Sequence, residues 1–134
     1  MNVLVDSNVI LDVLTEDKHW FSWSSAQLQQ LGDEHVLWIN PLIYAEVSIG
    51  FERIEEIEEA LPSSAFQREA LPWEAAFLAG KSFLRYRRTG GSRTSPLPDF
   101  YIGAHAAIRG MALLTRDAAR YQTYFPKLRL ISPP

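Results

Sequence analysis

The sequence contains no cysteine. Disulfides, thiolate nucleophiles and cysteine metal sites are therefore excluded, and the composition suits a reducing compartment. No basic stretch followed by an apolar run opens the chain, so no secretory leader is expected. No apolar segment approaches the roughly 20 residues that span a bilayer. The expectation is a soluble, cytoplasmic protein with no membrane partner. An excess of positive charge is also missing: 13 Lys and Arg stand against 16 Asp and Glu, a net charge of −3. Any contact with nucleic acid must rest on a local basic patch or on metal ions rather than on bulk attraction. Internal repeats and low-complexity tracts are absent.

What is present is 134 residues, 47% of them hydrophobic, enough for one compact domain with a proper core. The expected domain spans residues 1–134. Its organising stretch is the first dozen residues. Asn2 to Val5 is short, apolar and β-branched, the pattern of a strand buried on both faces. Asp6 ends it, and Val9, Ile10, Val13 and Leu14 then recur at helical spacing. Further strands are predicted at Val36–Ile39, Phe66–Leu71, Met111–Leu114 and Leu128–Ile131. Helices are predicted over His19–Leu31, ended by Gly32-Asp33, and over Leu42–Gly50, opened by the cap residue Asn40 and Pro41. Others are predicted over Phe51–Leu61, Trp73–Arg88, Pro98–Arg109, ended by Gly110, and Asp117–Tyr124. Thr89–Pro96 reads as a loop. Strands alternating with helices give an α/β fold, a central, mainly parallel sheet flanked by helices.

Most acids, such as the glutamates between Glu52 and Glu59, suit a solvated helix face. Four do not. Asp6 ends the first strand. Glu46 lies among Leu42, Ile43 and Ile49 on one helix face, where a bare carboxylate needs a partner, a proton or a cation. Asp99 sits in the first turn of its helix, and Asp117 follows the buried strand at Leu114. Each also suits a plain structural role, as a helix cap or half of an ion pair. Parallel strands would bring them to one crevice, the usual ligand site of open α/β sheets. Carboxylates gathered there repel unless a cation or protons intervene. An all-oxygen set without His or Cys suits Mg²⁺ or Mn²⁺ rather than Zn²⁺. Arg85, Arg87, Arg88 and Arg93 form the one basic cluster, with Tyr86 among them. They suit RNA phosphates and Tyr86 a base, or else a solvated helix end. His19, His35 and His105 have no evident serine or acid partner, so no protein nucleophile is expected. Trp20, Trp23, Tyr44 and Phe51 are candidates for exposed aromatic surface, although core packing is the better expectation for most of them.

Val3-Leu-Val-Asp6-Ser7-Asn8, Tyr44-Ala-Glu46, Pro98-Asp99-Phe-Tyr-Ile-Gly-Ala-His105-Ala106 and Leu114-Thr115-Arg116-Asp117 together resemble the PIN-domain family. In order and spacing they look most like VapC-type toxins of type II toxin–antitoxin systems. The resemblance implies a single PIN-like, Rossmann-like domain and Mg²⁺- or Mn²⁺-dependent cleavage of RNA by a metal-activated water. It implies Asp6, Glu46, Asp99 and Asp117 as metal-holding acids, with Asn8 and Thr115 in support. It also implies a homodimer and a VapB-like antitoxin partner. A rival, the haloacid-dehalogenase type of phosphohydrolase, wants Asp-x-Asp where this chain has Asp6-Ser7-Asn8. A second rival is a PIN-like module kept for binding alone, and such modules tend to lose acids that are all present here.

Overall fold

The computed structural model of the protein describes residues 1–92 and 97–134. Five strands, β1 (Asn2–Val5), β2 (Val36–Ile39), β3 (Gln67–Arg68), β4 (Ala112–Leu114) and β5 (Leu130–Ile131), form one sheet in the order β3-β2-β1-β4-β5. All four pairings are parallel. Seven helices among the described residues connect the strands. These are α1 (Ser7–Leu14), α2 (Phe21–Glu34), α3 (Pro41–Ser48), α4 (Ile54–Ala60), α5 (Trp73–Arg88), α6 (Pro98–Arg109) and α7 (Ala119–Tyr124). None of the helices is long and apolar enough to cross a membrane.

The central strand is apolar from Val3 onward, as burial on both faces requires. Val3, Leu4 and Val5 are fully buried, and Leu113 and Leu114 beside them likewise. Each such side chain contributes about 2 kcal/mol by leaving water. Parallel register puts the strand ends in a row. Val5 pairs with Leu114, Leu4 with Trp38 and Ile39 with Arg68. One residue further on, the ladder continues as Asp6 N–H to the Leu114 carbonyl and Glu69 N–H to the Ile39 carbonyl. The sheet therefore ends in a polar row, Glu69, Asn40, Asp6 and Thr115, immediately after its apolar strands.

Several element ends differ from the sequence reading. Gly32 does not stop α2, which runs to Glu34 and passes into β2 through an extended His35. No left-handed residue is needed there. At its start, the Asp17 carboxylate accepts the His19 and Trp20 amides, so the helix begins at Phe21. Strand β3 is two residues rather than six. Helix α4 begins at Ile54, after the Glu56 side chain has taken the Arg53 amide. Gly110 does end α6, with φ +65, and the Met111 amide returns to the Ala106 carbonyl.

Helix α5 turns small residues inward. Ala75, Ala79 and Ser82 are buried, while Trp73 (89% exposed) and Phe77 (69%) face out. Trp20, Trp23, Tyr44 and Phe51 are half-buried, and the last three pack against the core, as the sequence leads one to expect for most of them. A close approach also shapes α6. A Cβ on Gly103 would lie 2.6 Å from the Phe125 ring and 3.1 Å from Tyr121. Glycine here lets α7 and the residues after it close onto α6.

Behind the sheet edge lies a buried polar chain. Asn40 caps α3 by accepting the Ile43 amide at 2.9 Å, which leaves its Nδ2 to donate to His105 Nδ1 at 3.0 Å. The ring's other nitrogen, carrying the proton, donates to Glu69 at 2.6 Å, and Arg109 binds the same carboxylate. His105 is fully buried. Contact with the His105 ring holds the Glu69 carboxyl below its usual range. Replacing His105 with leucine leaves the Asn40 amide buried without its acceptor. His105→Leu is expected to lose about 2 kcal/mol in urea denaturation, and an unchanged midpoint would show the chain to be dispensable.

Candidate functional site

Asp6 takes the N-cap position of α1 but does not cap it with its side chain. Its Oδ2 instead accepts from Thr115 Oγ at 2.9 Å and from Tyr121 OH at 2.9 Å. Among the described residues Oδ1 has no hydrogen-bond partner. Thr115 is itself fully committed. Its one proton goes to Asp6, and its oxygen accepts from Asn8 Nδ2 at 3.3 Å and from the Asp117 amide at 3.2 Å. Asn8 then takes the Arg116 amide on its Oδ1. Asn8 and Thr115 thus form a short chain of hydrogen bonds that orients Asp6.

The other acids arrive from neighbouring elements. Glu46, on α3, accepts a hydrogen bond from Ser7 Oγ at 2.9 Å. Asp99, in the first turn of α6, caps nothing and instead meets Arg120 of α7, with Nη1 to Oδ2 at 3.4 Å. Asp117 is exposed and lies before α7, whose N-cap is Ala118. It lines, with Asp99, Arg120, Tyr86, Thr123 and Tyr124, a cavity of about 510 Å³.

The electrostatics show that these acids feel one another. Burial, then the charges of Asp99 and Glu46, push the Asp6 carboxyl up to about 6 despite its two hydroxyl partners. Burial raises Glu46, and Asp99 adds to it. Burial also raises Asp99, with Arg120 opposing and Asp117 reinforcing. Tyr121 is pushed well above its ordinary value by burial and by Asp6, Asp99 and Glu46, so it stays a donor. Among the described residues, no three acidic or histidine side chains stand close enough to form a ready-made set of metal ligands. Each carboxylate has hydrogen-bonding partners: two hydroxyls for Asp6, Ser7 for Glu46 and Arg120 for Asp99. The donor chemistry, all carboxylate oxygen under mutual repulsion, fits a hard divalent cation.

Sequence reading missed Ser7, Arg120 and Tyr121. It also missed Asp12, which is buried against Ser24 Oγ (2.8 Å) and Arg116 Nε (2.9 Å) and stiffens the start of the Asp117 loop. Of the basic cluster, Arg85 lies over the ring of Tyr124, a cavity-lining residue. Arg87 and Arg88 are exposed on the last turn of α5, and Arg93 lies outside the described residues. Tyr86 is not open for a base. Gly91 packs against its ring, Phe83 stacks on it at 5.7 Å and Arg120 lies over it at 5.8 Å.

The PIN domain family model matches residues 3–126. No curated protein sequence matches the chain. Among solved structures, VapBC2 from Rickettsia felis, bound to a DNA fragment from its promoter, superposes with a TM-score of 0.76 at 16% identity, over 100% of both chains. VapBC-1 from nontypeable Haemophilus influenzae superposes at 0.73 with 18% identity over 98% of each chain. A toxin–antitoxin complex from Klebsiella pneumoniae gives 0.63 at 19% identity, again over 98% of each.

The Asp6 environment has a consequence for pH. Asp6 ionises at 3.8 in an ordinary setting and at about 6 in the fold. Folding therefore favours the protonated carboxyl. Its stabilisation is complete below 3.8 and is lost as pH rises through 6, a difference of roughly 3 kcal/mol. Glu46 and Asp99 shift in the same direction. In EDTA, wild-type protein is expected to lose stability from about pH 4 to about pH 7. Asp6→Asn should flatten that profile and be the more stable form near neutral pH. Parallel urea-denaturation profiles for the two proteins would contradict this.

Proposed function

The chain belongs to the PIN domain family, and on that premise we propose that it is a metal-dependent ribonuclease of VapC type, the toxin of a toxin–antitoxin pair. The observation that carries this reading is the electrostatic coupling of Asp6, Glu46 and Asp99. Burial together with the charge of a neighbouring acid raises the carboxyl of each. A cluster whose own charges oppose its ionisation is suited to a divalent cation and then to phosphate.

Asp6, Glu46, Asp99 and Asp117 would hold Mg²⁺ or Mn²⁺. When bound, the ion supplies an activated water and offsets charge on the phosphorus centre and the leaving oxygen. The protein's part is positional. Thr115 and Tyr121 fix Asp6 through one oxygen and leave the other for the ion. Ser7 does the same for Glu46. Arg85, over the Tyr124 ring, and Arg88, on the same last turn of α5, suit the phosphates of the flanking strand. The rival binding module would need no such coupling of buried acids.

A VapB-like antitoxin and a second copy of the chain are the proposed protein partners. The exposed Trp73 and Phe77 of α5 supply an apolar stripe that such a partner would cover. A cytoplasmic site of action follows from the RNA substrate.

Purified protein with total RNA in Mg²⁺ is expected to cleave it. EDTA should stop the reaction, and Asp99→Asn should lower the rate by about 100-fold or more while the fold, read by circular dichroism, is kept. No cleavage and no Mn²⁺ binding by the wild type would overturn the nuclease reading. Arg85→Ala with Arg88→Ala is expected to weaken RNA binding at every sequence. The same pair should lower the salt dependence by about one unit of slope for each phosphate no longer neutralised. An unchanged slope would remove both arginines from the RNA path.

A further inference from the structure

Among the described residues, Arg120 is the one cation paired with an acid of the cluster. Its Nη1 stands 3.4 Å from Asp99 Oδ2, a long single contact rather than a bidentate clasp. Its side chain is about one-third exposed. The guanidinium rests over Phe100 at 5.7 Å and Tyr86 at 5.8 Å, and the residue lines the cavity that also holds Asp99 and Asp117. A partly exposed, single-contact pair costs little to break. A divalent ion on Asp99 would stand beside a fixed positive charge and repel it. The cavity gives that charge somewhere to go, and a guanidinium fork matches phosphate oxygens well.

We propose that Arg120 is the resident counter-ion of Asp99 in the metal-free protein and that, once Asp99 is committed to a divalent cation, Arg120 turns into the cavity and binds a phosphate of the RNA strand. This rests on the ribonuclease reading above. Arg120 thus competes with the metal for one carboxylate but cooperates with it for substrate. Metal binding and RNA binding are coupled through a single side chain. The aromatic floor of Tyr86 and Phe100 supports the guanidinium plane in both positions.

The test compares wild type, Arg120→Ala and Arg120→Lys by calorimetric titration with Mn²⁺ alone. Fluorescence anisotropy then follows a labelled single-stranded RNA oligonucleotide, in Ca²⁺ and in EDTA. Arg120→Ala is expected to bind Mn²⁺ about fivefold tighter or more. It should bind RNA about tenfold more weakly in Ca²⁺, with little change in EDTA, where Arg120 is still occupied by Asp99. Arg120→Lys keeps the charge without the fork, so its Mn²⁺ affinity should stay near wild type and its RNA affinity fall between the other two. Unchanged Mn²⁺ affinity in Arg120→Ala overturns the proposal, as does an RNA defect equal in Ca²⁺ and EDTA. If wild type cuts RNA and binds Mn²⁺ while the variants match it, this inference alone fails. If wild type binds no Mn²⁺ at all, the ribonuclease reading falls with it.

Discussion

Asp6 goes into the fold as a nearly buried carboxyl, with hydroxyls for partners and two other acids close enough to raise it further. Much of the architecture near the sheet edge serves to make that tolerable. Thr115 spends its single proton on Asp6 and is held by Asn8 and the Asp117 backbone. Tyr121 is kept protonated by burial and by the same negative charges it approaches. Gly103 gives α7 the clearance to deliver it. Negative charge concentrated at one end of a parallel sheet is unfavourable alone and is eased by protons or a cation.

The helices that carry the acids are fastened from behind. Asn40 caps α3, the Glu46 helix, and its amide is tied to His105 on α6, the Asp99 helix. Glu69 and Arg109 extend the chain to the edge of the sheet. The two carboxylates therefore sit on elements joined by a buried, fully hydrogen-bonded link. Such networks hold geometry well because each missing member leaves another unsatisfied.

The alternation of short apolar runs with helical periodicity is enough to read the α/β fold, and Asp6 and Asp117 stand out because each follows a buried run. Asn40-Pro41 and Gly110 mark their helix ends correctly. Gly32 does not, since its helix continues straight into an extended residue and needs no left-handed turn. Ser7, Arg120 and Tyr121 escape notice for a different reason. Their roles are pairings between elements far apart in the chain, and residue type alone does not announce a partner. Tyr121 looks like one aromatic of a short helix, Arg120 like a surface charge. His105 is buried in its helix, but its link to Asn40 and Glu69 depends on register across the sheet, which local pattern does not encode.

The hydroxyls that secure Asp6 come from residues 109 and 115 positions downstream. Strand β4 and helix α7 are made long after the first strand, although they flank it in space. A chain still growing on the ribosome holds Asp6 and Glu46 but lacks the groups that orient the one and the arginine that faces Asp99. Assembly of the acidic pocket is thus deferred until both of those late elements have emerged. A protein of this proposed chemistry would be harmless to the machinery translating it for most of its own synthesis.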